Sequence, residues 1–409
     1  MVSKEESWRS RELRQQLVAH LRHCGVLRSA RVAAAFAALP REVFVSHCYV
    51  RTEDGRGWQC CQAEACGHER WLELVYTDQV LVTRLDGDWP SSSSSMPSYM
   101  ARMLEALEVL PGQRVLEIGT GTGYNAALLA WLTGEPRRVV TLEVVPELAT
   151  QARQALLRTV GPVRVIGADG WLGYAAAAPY ERLLVTASAA SLSLAWLRQL
   201  APGGRLVLPL QGGLQEGRLL VVERTEAVAA EPEPGRLQGR GRCLPEPCAF
   251  MPLSGERFGL QSLHELSRQP ARQWRELATS LVPQALQQPA GRWWLQWATG
   301  AFGTVGRTRA GQWMVNCLHP QQRALVHLEE ETASQWLVRA HGREAAQWWQ
   351  QLEAAAAQWQ ALGCPPPEAL ELRWEGPTCC WQLGTATLSV AVRAAERLAS
   401  SGTAEPSSS

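Results

Sequence analysis

Lysine is almost missing from this 409-residue chain: Lys4 is the only one among 40 basic residues. Basic and acidic side chains nearly cancel, to a net +1, which argues against a broad phosphate-tracking surface and against nucleic acid as a partner. Nor is there an uninterrupted apolar run of the roughly 18 residues a membrane span requires. The N-terminal MVSKEESWRSRELRQQL also lacks a signal peptide's apolar stretch. The expectation is a cytoplasmic protein with no membrane partner. Eleven cysteines, an odd number scattered through a long chain, read as reduced thiols rather than a disulfide framework. Cys60, Cys61, Cys66 and His68 are metal-ligating types, but adjacent cysteines without a C-x-x-C pair fit tetrahedral ligation poorly. The eight histidines contain no H-E-x-x-H. No metal is expected.

What is present is a chain too long for one ordinary domain, 46% hydrophobic and with an ordinary 19% of charged residues. Two domains are expected. Residues 8–39 show helical spacing broken at Cys24-Gly25, and 40–45 reads as extended. The polar, Gly- and Cys-rich stretch 51–70 looks like an inserted loop, and 71–83 has strand propensity. Five serines, Ser91 to Ser95, lead through Pro97 into a helix over 99–110. Strands at 114–118, 138–143, 163–166, 183–186 and 205–209 then alternate with helices at 124–131, 146–158 and 192–200. That alternation implies a doubly wound, mostly parallel α/β sheet. Further strands are expected at 219–224 and 249–253, joined by a Pro-, Gly- and Arg-rich connection, which closes a first domain at 1–255. Eleven of the 18 tryptophans lie beyond Pro270, marking an α+β accessory domain at 256–402, with a helix at 343–362, a strand at 370–374 and a frayed tail at 403–409. Tryptophans are more often core than ligand contacts.

The strongest motif is Val115-Leu116-Glu117-Ile118-Gly119-Thr120-Gly121-Thr122-Gly123-Tyr124, a strand breaking into a G-x-G-x-G turn that opens a helix. Its third glycine comes one residue earlier than in the dinucleotide G-x-G-x-x-G, which disfavours nicotinamide and flavin. Glu143 ends the next strand, where a carboxylate can accept hydrogen bonds from both ribose hydroxyls. Asp169, in Gly167-Ala168-Asp169-Gly170, follows the third strand and suits an adenine amine. Singly, these carboxylates would be solvated loop residues; in this order they imply an adenosyl cofactor, S-adenosylmethionine. The candidate cofactor-binding residues are Glu117, Gly119, Thr120, Gly121, Thr122, Gly123, Glu143, Asp169 and Gly170.

At these residues the sequence resembles the protein-L-isoaspartate O-methyltransferase family, with four further stretches in support. Pro40-Arg41-Glu42-Val43-Phe44-Val45 resembles its N-terminal signature and Ser95-Met96-Pro97 its Ser-x-Pro element. Ala178-Pro179-Tyr180-Glu181 resembles its Ala-Pro-Tyr-Asp, and Phe250-Met251-Pro252-Leu253 its closing strand. The likeness is closer still to a longer bacterial branch associated with ribosomally made, lanthipeptide-type peptides. There the serine run, Gly-Thr-Gly-Thr-Gly-Tyr-Asn, Phe-Met-Pro-Leu and a tryptophan-rich C-terminal region recur. The resemblance implies a Rossmann-like class I methyltransferase that esterifies an aspartyl or isoaspartyl carboxylate of a protein or peptide. Ser95 would be the active-site hydroxyl and Ser94 its nearby substitute.

Such a carboxylate, with pKa near 4, is already ionised at pH 7, so no strong general base is required. Positioning and exclusion of water supply most of the rate. Other readings stay open at this point. A bare serine run is ordinarily a flexible linker, although Pro97 and its helix argue against that here. The methyl ester could serve repair of isoaspartate in damaged proteins or, as succinimide precursor, tailoring of one dedicated peptide. A non-catalytic peptide-binding scaffold is the alternative from another class, against which the intact cofactor motifs count. Thr186-Ala187-Ser188 lacks the grip on a flipped base that a nucleic-acid methyltransferase needs.

Overall fold

A computed structural model of the chain describes residues 8–214, 216–225, 237–254, 275–277, 281–319, 324–332, 335–376 and 378–393. The expected boundary at residue 255 and the expected tail at 403–409 lie outside them. Helices α1 (Trp8–His23) and α2 (Ala30–Ala38) flank the Cys24–Gly25 break. Gly25 takes φ +69°, open to glycine without strain, and the Ser29 hydroxyl caps α2 by accepting from the Arg31 and Val32 N–H groups. Residues 40–45 are not extended as expected; Arg41–Val43 form a 3-10 turn that sends the Arg41 side chain inward.

Strands β1 (Cys48–Arg51), β2 (Trp58–Cys61), β3 (Leu81–Asp86) and β4 (Trp89–Ser94) form an antiparallel sheet in the order β2-β1-β3-β4. The polar 51–70 stretch is therefore not a plain loop: it closes a hairpin and opens helices α3 (Ala63–Cys66) and α4 (His68–Val75). Nor is 71–83 one strand. Trp71, Leu72 and Val75 share one face of α4 and are buried there, so helical periodicity prevails over strand propensity. The serine run is likewise no linker, since Ser93 and Ser94 of β4 pair with Val82 and Leu81. Helix α5 (Pro97–Leu107) follows, with proline in its first turn.

The central sheet builds on β5 (Val115–Ile118), β6 (Val139–Glu143), β7 (Arg164–Gly167), β8 (Tyr180–Val185) and β10 (Leu200–Gln211), all parallel and ordered β7-β6-β5-β8-β10. Helices α6 (Tyr124–Thr133) and α7 (Pro146–Thr159) connect the first three, and the short β9 (Leu192–Ser193) and α8 (Leu194–Gln199) precede β10. From β5 the chain runs outward to β7, then returns to β8 on β5's other side. That reversal opens a crevice at the strands' C-terminal ends. Antiparallel β11 (Gly217–Arg224) and β12 (Gln238–Pro247) extend the sheet.

The strand expected at 249–253 falls instead at β12, within the supposed connection. A Cβ on Gly239 would lie 2.1 Å from the Glu223 carbonyl oxygen and 2.4 Å from Trp374 Nε1. The glycines that suggested turns are thus sites where neighbouring strands and a tryptophan approach closely. Residues 249–254 run irregularly beside Ser188, whose N–H donates to Met251 O at 2.8 Å.

Beyond the undescribed segment come β13 (Arg275–Glu276), α9 (Val282–Gln287), α10 (Pro289–Thr299), β14 (Phe302–Arg307), β15 (Trp313–His319), β16 (Ala324–Thr332) and β17 (Gln335–His341). Their strands make a second, antiparallel sheet, β13-β17-β16-β15-β14. Helix α11 (Ala345–Ala361) leads to β18 (Glu371–Glu375), β19 (Thr378–Leu383) and β20 (Ala386–Arg393). These rejoin the central sheet: β18 pairs with β12 and β20 with β9, giving eleven strands. Alternation along the strands sorts the core by face. Val115, Leu184 and Val207 pack with α1, α2, α5, α6 and α7. Leu116, Leu183 and Leu206 pack on the other face in one cluster with Trp196 and the C-terminal Trp293, Trp294, Trp348 and Trp381.

Candidate active site

The crevice lies where β5, β6 and β7 end, and β4 forms its opposite wall. Gly119, Thr120, Gly121, Thr122, Glu143, Asp169 and Gly170 line it from the sheet, and Ser91 to Ser95 line it from β4. Gly119 (φ +98°) and Gly121 (φ +52°) adopt left-handed backbone that brings the turn's amides to the cleft. A Cβ on Gly119 would sit 2.7 Å from Thr186 Oγ1, and one on Gly170 2.4 Å from Ile118 Cγ2. Bare backbone is required at both.

Glu143 is buried at the end of β6. Its Oε2 accepts from the Gly121 N–H at 2.8 Å and its Oε1 from the Val145 N–H at 3.0 Å. The carboxylate is thereby fixed while lone pairs remain for a ligand. Asp169 Oδ1 accepts from the Trp171 N–H at 3.0 Å, which leaves Oδ2 for the cleft.

Two expected cofactor contacts lie off the cleft. Gly123 packs α6 against α7: a Cβ there would meet Ala152 Cβ at 3.1 Å. Glu117 is fully buried beneath the turn, where its Oε1 accepts from Asn125 Nδ2 (2.7 Å) and its Oε2 from Thr141 Oγ1 (2.6 Å). Thr141 Oγ1 lies 2.6 Å from Thr120 Oγ1, so a hydrogen-bonded chain links the buried carboxyl to the cleft. Burial pushes Glu117 up to about 7 against the pull of its two donors.

The two candidate serines are not equivalent. Ser94 is buried, and its hydroxyl accepts from Arg41 Nε at 3.3 Å and Nη2 at 3.2 Å. Ser95, half-buried at the cleft wall, has no side-chain hydrogen bond among the described residues, and only its carbonyl is bound, by Arg41 Nη2 at 3.0 Å. Arg41 itself is wholly enclosed and also donates to the carbonyls of Val75, Thr77 and Gln79. Burial lowers it to about 10. It clamps the serine wall to the chain after α4, a role the Pro-Arg-Glu motif did not disclose.

Sequence reasoning also missed Thr186, whose hydroxyl donates to Gly119 O at 2.6 Å, and the aromatic end of the cleft. There Tyr99 and Phe250 meet edge to face at 6.0 Å, with the Tyr99 hydroxyl donating to Pro247 O. A strand-end threonine carries no motif. Among the described residues no group of three or more His, Cys, Asp or Glu is placed to hold a metal ion, and no helix is long and apolar enough to cross a membrane.

A parallel sheet reversing at β5, with a glycine turn and two carboxylates on successive strand ends, defines a Rossmann-like class I methyltransferase. Residues 64–232 match the family model described as protein-L-isoaspartate(D-aspartate) O-methyltransferase. The protein-L-isoaspartate O-methyltransferase of Methanopyrus kandleri is 37% identical over 60% of this chain and 93% of its own length. That of Anaeromyxobacter dehalogenans is 43% identical over 51% of this chain and 86% of its own. A solved protein-L-isoaspartate O-methyltransferase matches with TM-score 0.50 and 25% identity, covering 88% of this chain and 96% of that one. The chain belongs to the protein-L-isoaspartate(D-aspartate) O-methyltransferase family.

Proposed function

We propose that this cleft binds S-adenosylmethionine and presents its methyl group to an isoaspartyl carboxylate of a protein or peptide. Glu143 holds the ribose hydroxyls, Asp169 the adenine amine, and the turn from Gly119 to Thr122 the amino-acid end. Glu117 and Gly123 support that turn from behind. The bound cofactor supplies a methyl activated on a sulfonium. The chain's own task is to hold the acceptor carboxylate in line and dry, since it is already ionised at neutral pH. Ser95 donates to that carboxylate or orients the adjoining peptide; Ser94 is instead the anchor through which Arg41 fixes the wall. Tyr99 and Phe250 exclude water at the acceptor end. The observation that carries the assignment is that Ser95, whose hydroxyl has no hydrogen bond among the described residues, lines the same cleft as Glu143 and Asp169.

The finer reading, tailoring of a dedicated lanthipeptide-type peptide, is supported by the serine run, Gly-Thr-Gly-Thr-Gly-Tyr-Asn and Phe-Met-Pro-Leu. Against it, the solved isoaspartate enzyme covers 88% of this chain, a span that necessarily reaches past residue 255. A C-terminal extension is thus not peculiar to peptide tailoring. We propose that 256–402 acts as an accessory unit to the 1–255 methyltransferase unit, bracing its sheet through the pairing of β18 with β12 and of β20 with β9. A cytoplasmic setting accords with eleven free cysteines.

Titration calorimetry with S-adenosylhomocysteine, followed by a methyl-transfer assay on an isoaspartyl peptide, tests the assignment. Binding with base-labile ester formation is expected; binding without transfer to any carboxylate would favour the non-catalytic scaffold.

A further inference from the structure

Cys60, Cys61 and Cys66 stand apart from the methyl-transfer site, and their chemistry is not used there. Strand alternation separates the first two: Cys60 is exposed, whereas Cys61 is half-buried and pairs across the ladder with the buried Cys48. The chain then turns through the short α3 and returns Cys66 to Cys61. The Cys61 thiol donates to Cys66 Sγ at 3.1 Å. This contact is tighter than ordinary sulfur packing, and neither thiol belongs to a group able to hold a metal ion among the described residues.

We propose that Cys61 and Cys66 are a redox modification site, a dithiol that a small-molecule disulfide converts reversibly to an intramolecular disulfide. One protein thiolate attacks the external disulfide, forming a mixed disulfide and releasing one small thiol. The second then attacks the protein sulfur of that bond, joining Cys61 to Cys66 and releasing the other small thiol. Two protein thiols are oxidised, one external disulfide is reduced to two small thiols, and the two protons lost by the protein are taken up by the departing small thiolates. Either thiol can open the exchange, because both are half-buried and the other lies within reach to close the bond.

Bond formation asks little of the fold. The sulfurs close from 3.1 Å to the roughly 2.05 Å of a disulfide, and the linked residues sit within one short turn. Helix α4, which follows directly, delivers the Val75 carbonyl to Arg41 and so adjoins the wall that carries Ser95. A staple made with so small a movement leaves that wall in place. It protects the pair from irreversible oxidation without switching methyl transfer off.

The test uses the full chain, equilibrated in a series of oxidised-to-reduced glutathione ratios, quenched with acid, alkylated and mapped by mass spectrometry. The 57–70 tryptic peptide, which contains all three cysteines, should carry one alkyl group, on Cys60, in place of three, with fragments assigning the bond to Cys61 and Cys66. Dithiothreitol should restore both thiols, Cys66→Ser should abolish the link, and oxidised wild-type protein should retain its turnover. Both thiols staying alkylatable at a ratio that modifies the exposed Cys24 and Cys364 would overturn the proposal. So would a bond made by Cys60 in place of Cys61, or a loss of turnover on oxidation that Cys66→Ser abolishes.

Discussion

Neighbouring serines with opposite tasks show what a single side chain decides in this site. Ser94 points inward to a buried guanidinium and Ser95 lines the cleft, its hydroxyl without a hydrogen bond among the described residues. Ser95→Ala should lower kcat by roughly tenfold to a hundredfold, as loss of one hydrogen bond to a charged acceptor does, while leaving S-adenosylhomocysteine affinity unchanged. Ser94→Ala should instead destabilise the fold by about 1–3 kcal/mol, because it strips an acceptor from buried Arg41; urea denaturation reads it. Motif spacing made Glu143 and Asp169 legible from sequence, since strand ends fix where their carboxylates fall. The division between Ser94 and Ser95 was not legible, because it depends on which residue the strand turns toward Arg41.

Glu117 adds a pH dependence at the same scale. Its carboxyl holds its proton up to about 7 when folded, against the ordinary 4.5. Between these values the folded chain binds the extra proton, so this contribution to stability is fully present below about 4.5 and is lost as pH rises through about 7. Glu117→Gln keeps a neutral group of similar shape and removes the dependence. The difference in unfolding free energy between pH 5 and pH 8 should shrink by up to about 3 kcal/mol relative to wild type.

Elements were legible where periodicity was strong and local. The glycine turn, β5 to β8 and α6 and α7 fall close to their expected places, because buried strands and amphipathic helices announce themselves. Misreadings came where tertiary contacts override composition. Polar 51–70 holds a hairpin and helix starts, and β12 hides in a glycine-rich stretch because Trp374 and the β11 backbone crowd it. Gly239→Ala should therefore cost about 1–3 kcal/mol through overpacking, an effect out of proportion to a surface-strand substitution, while methyl transfer by the folded fraction persists.

Across the whole molecule, composition gave a C-terminal tryptophan-rich region but not its docking. Among the described residues, seven of its tryptophans are buried, Trp293, Trp294, Trp348, Trp349, Trp359, Trp374 and Trp381. They cover the sheet face opposite the N-terminal helices, and β18 to β20 extend the same sheet. Glu216 and Arg292 tie the two parts, with Arg292 Nε donating to Glu216 Oε1 at 2.7 Å and both side chains largely buried. Arg292→Ala should cost roughly 1–3 kcal/mol, since Glu216 loses its shorter-range partner but keeps Arg218 at 3.7 Å, measurable as a lowered denaturation midpoint. A chain cut after Ser254 should be insoluble, because it exposes Trp196 and the apolar face around Leu206; a soluble, cofactor-binding truncation would show that the two parts fold independently.

The central claim, that this cleft esterifies an isoaspartyl carboxylate, is tested most directly by kcat/KM for an isoaspartyl peptide and its aspartyl twin, with labelled S-adenosylmethionine and the full chain. Base-labile ester on the isoaspartyl peptide alone, lost in Ser95→Ala, is the expected result. Ester on neither peptide, with cofactor binding intact, would contradict it and shift the acceptor to a dedicated peptide.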